Sequence, residues 1–270
     1  MANADQVKLL NRSVHEWNLW RKEQNPSAAE PEDDLSDADK ADRLGGPFDS
    51  VDVLSNNHAT GEPIDLEAAD LAGAMLIGAI LEGANLRNAQ LSGANLSGAN
   101  LGSAELGGAQ LSGADLSGAW LGRVSMVNAT LCGADLHRSI PTRADLSGAD
   151  LSGADLTNVD LDFAKLRNTK LVGATLTGVD LRGADLCGAD LRRANLTSAN
   201  MQRALLVGAI LDGASLRKAD LCGADLTGAS IVEVDARDSQ WSGAILTGAD
   251  LTNSPIPPDS AAPGSRFCAG

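Results

Sequence analysis

Residues 133–156 read GADLHRSIPTRADLSGADLSGADL. The second half repeats Ala-Asp-Leu every five residues, while Ser139, Ile140, Pro141, Thr142 and Arg143 depart from that pattern. Followed outward in steps of five, the register runs from Leu66 to Leu251, through 38 pentapeptides without insertion or deletion. Leu fills 32 of these positions, the exceptions being Met126, Pro141, Met201, Ile231, Ala236 and Trp241. Two residues earlier Ala fills 30 of 38, with Val124, Val159, Val179 and Val234 among the exceptions. Asp or Asn usually stands between, and Gly is frequent two residues after the Leu. The departure at 139–143 leaves the register intact, because Leu136, Pro141 and Leu146 stay five apart.

A period of five fits neither regular element. On a helix, residues five apart lie about 140° apart, so the leucines would spiral round every face. On a strand they would alternate between two faces. Either way half of them would meet water. The period works if each pentapeptide turns a corner, with Ala and Leu pointing into a tube and Gly supplying a permissive backbone at the bend. Stacked turns then hydrogen-bond to their neighbours at about 4.8 Å, which makes a solenoid. Close packing of Ala and Leu accounts for the 3% aromatic content and the lack of Tyr. Trp241, at a Leu position next to Ala236, reads as volume compensation inside the tube.

The Ala-(Asp/Asn)-Leu-x-Gly unit resembles the pentapeptide repeat family, whose repeat is A(D/N)LXX. That resemblance implies an all-β solenoid: a right-handed quadrilateral parallel β-helix with four pentapeptides per coil. Over residues 64–256 this gives nine to ten coils and a rod about 45 Å long. Residues 20 apart then stack, so Leu146, Leu166 and Leu186 share one interior column.

Residues 1–26 are expected to form an amphipathic helix over 3–24. Asn3 stands as N-cap with Gln6 three residues on, and Asn25-Pro26 as the stop. Val7, Leu10, Val14 and Trp17, extended by Trp20, make one apolar stripe suited to capping the first coil. Trp17-Asn18-Leu19-Trp20-Arg21 resembles a leader that precedes the repeats in many bacterial members. Residues 27–63, with EPEDDLSDADKAD, read as an acidic linker or excursion, and residues 257–270 as a tail.

Composition excludes several functions. The formal charge of −15 disfavours binding to nucleic acid or an anionic membrane. No apolar run reaches 18 residues, and the N-terminus lacks a signal-peptide core, so a cytoplasmic protein is expected. Cys132, Cys187 and Cys222 share no column, and no H-E-x-x-H, C-x-x-C, G-x-S-x-G or P-loop pattern occurs. No enzyme activity, catalytic residue, metal or cofactor is therefore expected. Asp115, Asp135 and Asp155 stack in one column, solvated and accepting hydrogen bonds from neighbouring coils.

Function then falls to the surface, and the expected partner is a protein. Trp120 and Ile140 occupy slots normally held by Asp or Asn, 20 residues apart, so they share a side. Arg123 and Arg143 join them, with His137 and Arg138 on the adjoining side. Exposed Trp and Ile among arginines is a composition favoured at protein contacts. The alternative is that Trp120 only covers a neighbouring arginine. Leu205 and Ile210 form a weaker pair. Some family members mimic DNA and occupy the cleft of gyrase, which supplies a second reading of function. Residues 64–256 carry 22 acidic and 14 basic residues, a net −8. Duplex DNA of the same length would carry about 26 charges. Topoisomerase inhibitors of the family dimerise through a C-terminal helix that residues 257–270 do not supply, and the oligomeric state stays open.

Overall fold

A computed structural model describes residues 3–24 and 64–256. The expectations for Asn25-Pro26, for residues 27–63 and for residues 257–270 lie outside the described residues. From Asp65↔Asn85 to Ser230↔Asp250, every backbone pairing is parallel and joins residues 20 apart. Four pentapeptides therefore make one coil, and each coil has four sides. On each side a Leu N–H donates to the coil ahead and the preceding residue's N–H donates to the coil behind. Leu86 N to Glu105 O (2.8 Å) and Asn85 N to Ile64 O (2.8 Å) show the pattern.

The corner explains the glycines. The residue two after each Leu has φ near +60° in all 38 units, glycine in 21 and another residue in 17. The N–H three after the Leu donates back to the Leu carbonyl, as in Ala94 N to Leu91 O at 3.0 Å. Positive φ at the third position with this bond is the pattern of a type II turn. A side chain there costs about 1 kcal/mol. Burying one Leu returns about 2 kcal/mol, so a corner without glycine is tolerated in every coil.

The middle slot explains Asp and Asn. Its carboxylate or amide oxygen accepts the N–H two residues on, within the same coil: Asp115 Oδ1 from Ser117 N (2.9 Å), and Asp150 Oδ1 from Ser152 N (3.1 Å). The expected bonds from neighbouring coils are thus corrected for most of these residues. The ladder leaves the N–H two residues on unused, and a short Asx side chain reaches it directly.

The tube is filled by the Leu and Ala columns. Trp241 lies inside it, 3% exposed, beside the equally buried Ala236. Its Nε1 donates to Ser239 Oγ at 2.7 Å, and Ser239 donates in turn to the Ala236 carbonyl. Pro141 also occupies the interior. Lacking an N–H, it cannot donate to Asp160, and among the described residues the Ile140–Asp160 pairing is missing from the ladder. Adjacent bonds lengthen, Arg138 N to Thr157 O to 3.4 Å and Arg143 N to Asp162 O to 3.3 Å. The hydroxyl of Ser139, buried beside this gap, has no hydrogen-bond partner among the described residues.

The N-terminus departs from the single helix expected over 3–24. It forms two helices, α1 (Ala4–Arg12) and α2 (Val14–Gln24), broken at Ser13. Ser13 is extended (φ −164°, ψ 120°), and its Oγ accepts Glu16 N at 3.2 Å. Asn3 caps α1 by accepting from Asp5 N and Gln6 N. Gln6 Oε1 accepts Asp65 N (2.7 Å), and Asn3 N donates to the Asp65 carbonyl (2.7 Å). Asn18 accepts Ile80 N and donates to the Gly78 carbonyl, both at 2.9 Å, while Trp17 Nε1 donates to the Ile80 carbonyl at 2.9 Å. Leu10 and Trp17 are buried in the common core, with Val7, Val14 and Trp20 packed partly against it.

Candidate interaction face

One side of the rod carries, in successive coils, Ile80, Asn100, Trp120, Ile140, Asp160 and Asp180. Trp120 pairs directly with Ile140 in the ladder. The slot points outward, so large apolar residues here have one face in water, and Trp120 is 48% exposed. Its indole lies against Gly102 and Gly122, where added Cβ atoms would stand 2.9 and 3.2 Å from the ring. Neither glycine sits at a positive-φ corner, so what the turn leaves free, the ring uses.

The corners on both flanks are basic. Arg123 and Arg143 occupy one corner column and Arg138 the other, all with φ near +57° and all exposed. His137 is drawn to the adjoining side, its Nδ1 2.6 Å from Asp135 Oδ1. Among the described residues Arg123, Arg138 and Arg143 form no ion pair, whereas most other basic side chains of the coils do. Lys165, Arg167 and Lys170 are tied to Asp145, Asp185 and Asp150.

Phe163 is the residue that sequence reasoning missed. It stands 20 residues after Arg143 in the same corner column, is 60% exposed, and has φ +54°. Its ring overhangs Gly183. An aromatic in a corner slot usually held by Gly, Asn or Arg was the available signal. Beside it Asp162 is pushed above the usual carboxylate range by burial, which the charges of Asp180 and Asp160 reinforce and those of Arg182 and Arg143 oppose. Leu205 is 42% exposed with Val207 beside it, while Ile210 is half-buried.

Little else invites chemistry. Among the described residues no group of three His, Cys, Asp or Glu could hold a metal ion. Cys132, Cys187 and Cys222 are free and half-buried. Burial and Asp150 push the Cys132 thiol up, away from the reactive thiolate. A shallow groove of about 430 Å³ runs along the corner of Val172, Arg192, Asp212 and Val232, away from Trp120. No helix among the described residues is long and apolar enough to cross a membrane.

Eight copies of the family model for pentapeptide repeats match residues 64–102, 109–140, 142–178, 174–213 and 206–240. The chain belongs to the pentapeptide repeat family. The matched segments part at Pro141, where the ladder is interrupted. Among solved structures, this pentapeptide repeat protein is similar to HetL, involved in heterocyst differentiation regulation in the cyanobacterium Nostoc sp. strain PCC 7120. The identity is 35% over 70% of this chain and 90% of that one, with a TM-score of 0.33. Rfr23 from the cyanobacterium Cyanothece 51142 is 30% identical over 36% of this chain and 60% of that one, with a TM-score of 0.30. QnrB1, a plasmid-mediated fluoroquinolone resistance protein, is 21% identical over 68% and 90%, with a TM-score of 0.44. Among curated proteins no sequence match is found. The parallel pairing of residues 20 apart builds four-sided coils, as the repeat of the family leads one to expect.

Proposed function

We propose that this pentapeptide repeat protein is a non-catalytic rigid rod that binds another protein through the side bearing Trp120, Ile140 and Phe163, flanked by Arg123, Arg138 and Arg143. The observation that carries the reading is Trp120: a half-exposed indole held flat on two glycines. A pre-positioned aromatic beside unpaired arginines loses little conformational freedom on binding, which is the chemistry of an interface hot spot. The helix pair serves as the cap of the first coil, because its side chains satisfy edge groups of Asp65, Gly78 and Ile80.

DNA mimicry finds less support. Net charge on the coils is −8, about a third of what duplex DNA of that length carries, and ion pairs neutralise many of the acids. Purified protein at micromolar concentration is expected to leave gyrase supercoiling unchanged; inhibition that neutralising the coil Asp residues abolishes would favour mimicry instead. The interface is tested by affinity capture with three chains: wild type, Trp120→Ala plus Arg143→Ala, and Gln110→Ala plus Thr130→Ala on the opposite side. Only the first double variant is expected to lose the partner, and capture that persists in it refutes the interface.

A further inference from the structure

Between the coil of Ile140 and the coil of Asp160, one side of the rod has lost most of its backbone bonds. Pro141 has no N–H for the Asp160 carbonyl. Among the described residues Asp160 N finds no acceptor, although its counterparts Asp155 N and Lys165 N each donate to the coil behind at 2.9 Å. The corner bonds that flank the gap survive only at 3.4 Å (Arg138 N to Thr157 O) and 3.3 Å (Arg143 N to Asp162 O). Among the described residues it is the one rung missing from the ladder between Asp65 and Asp250.

The other sides keep the same two coils latched. On the opposite side Leu151 N to Lys170 O (2.7 Å), Lys170 N to Ala149 O (2.9 Å) and Gly153 N to Val172 O (3.0 Å) are all short, and Lys170 pairs with Asp150 at 3.5 Å. On the next side Lys165 pairs with Asp145 at 3.3 Å. Across the gap Ile140 faces Asp160, and these two can form no salt bridge. The corners that bound the gap, Arg138, Arg143, Asn158 and Phe163, all hold a side chain at positive φ, which only glycine adopts without cost. The closed wall also leaves Ser139 Oγ, 1% exposed, without a partner among the described residues. An unpaired buried polar group is costly, and opening on this side lets water reach both Ser139 Oγ and Asp160 N.

We propose that this gap is a joint: the two halves of the rod tilt apart on the side of Trp120 and Ile140, and the side of Asp150 and Lys170 acts as the hinge. Trp120, Ile140 and Arg143 move with one half, and Phe163 with the other. The joint belongs to the free rod and holds whether or not this side is a contact surface. Where it is one, a partner that grips both Trp120 and Phe163 spans the joint and keeps it closed.

Spin labels on the full chain test it, with Cys132, Cys187, Cys222 and Cys268 replaced by Ser. One label pair, Asn100→Cys with Asn200→Cys, lies on the side of the gap. The other, Gln110→Cys with Ile210→Cys, lies on the opposite side, and each pair spans about 24 Å at about 4.8 Å per rung. The first pair is expected to show a population several ångströms longer that the second pair lacks, and Pro141→Leu should remove it. In the unlabelled wild type, the amides of Arg138 and Arg143 should exchange about tenfold faster than those of Arg123 and Asn158, after correction for intrinsic rates. The corner bonds of Arg123 N and Asn158 N measure 2.9 and 3.0 Å. Equal distance distributions in the two pairs overturn the joint, as do a long population that survives Pro141→Leu or equal exchange at the four amides. The label pairs and the exchange rates decide the matter even if Pro141→Leu fails to fold. If the labels show no joint while partner capture depends on Trp120, the contact surface stands without it; if capture ignores Trp120 while the long population is present, the joint stands and the contact surface falls.

Discussion

The indole of Trp120 rests on Gly102, one coil away, so closely that a Cβ on that glycine would stand 2.9 Å from Nε1. The backbone at Gly102 does not have positive φ, so alanine is accommodated there and the ring must move. Gly102→Ala is expected to change stability by less than about 1 kcal/mol, because the half-exposed ring can swing outward. The Trp120 indole N–H resonance should shift, and partner affinity should fall. An unmoved resonance would show that the ring is not seated as described.

Pro141 removes one rung of the ladder, and its slot accepts Leu in most other units. Pro141→Leu should restore the bond to the Asp160 carbonyl, raising stability by about 1 kcal/mol. Hydrogen exchange at Arg138 and Arg143, whose bonds are now long, should slow. A lower melting temperature would mean that the surrounding coil is built around proline.

How much of this was legible can be judged residue by residue. The 20-residue stacking of Trp120 on Ile140 followed from spacing, because no insertion disturbs the register. Phe163 escaped notice because corner residues point along the column, a direction that spacing alone does not reveal. The break at Ser13 was hidden by an apolar stripe that runs on from Leu10 to Val14, although Ser13-x-x-Glu16 is a capping signature. Gln6 reads as the partner of its own N-cap and in fact reaches Asp65, a contact set by docking rather than local sequence.

Trp241 fills volume that its neighbours give up. Trp241→Leu should cost about 2–3 kcal/mol through the cavity left beside Ala236 and Ser239. Adding Ala236→Leu should recover much of that loss in thermal unfolding. If the two substitutions are simply additive in damage, the compensation does not exist.

Two carboxylates give opposite pH signatures. The hydrogen bonds from Arg237, with Arg217 adding its charge, hold Asp235 at about 2. An unfolded Asp titrates near 3.9, so this stabilisation is full above about pH 4 and lost as pH falls toward 2. Asp235→Asn should lower the melting temperature at pH 7 and have no effect near pH 2. For Asp162, raised by burial, the ionised form is the disfavoured one, and stability is lost as pH rises through its pKa. Asp162→Asn should therefore raise the melting temperature slightly at pH 7.

The central claim is that this rod binds through the side of Trp120. Calorimetric titration of the captured partner against wild type and against Trp120→Ala plus Arg143→Ala tests it most directly. At least a tenfold loss of affinity, about 1.4 kcal/mol, with an unchanged melting temperature is the predicted result. Equal affinities, or a loss confined to Gln110→Ala plus Thr130→Ala on the opposite side, would contradict it.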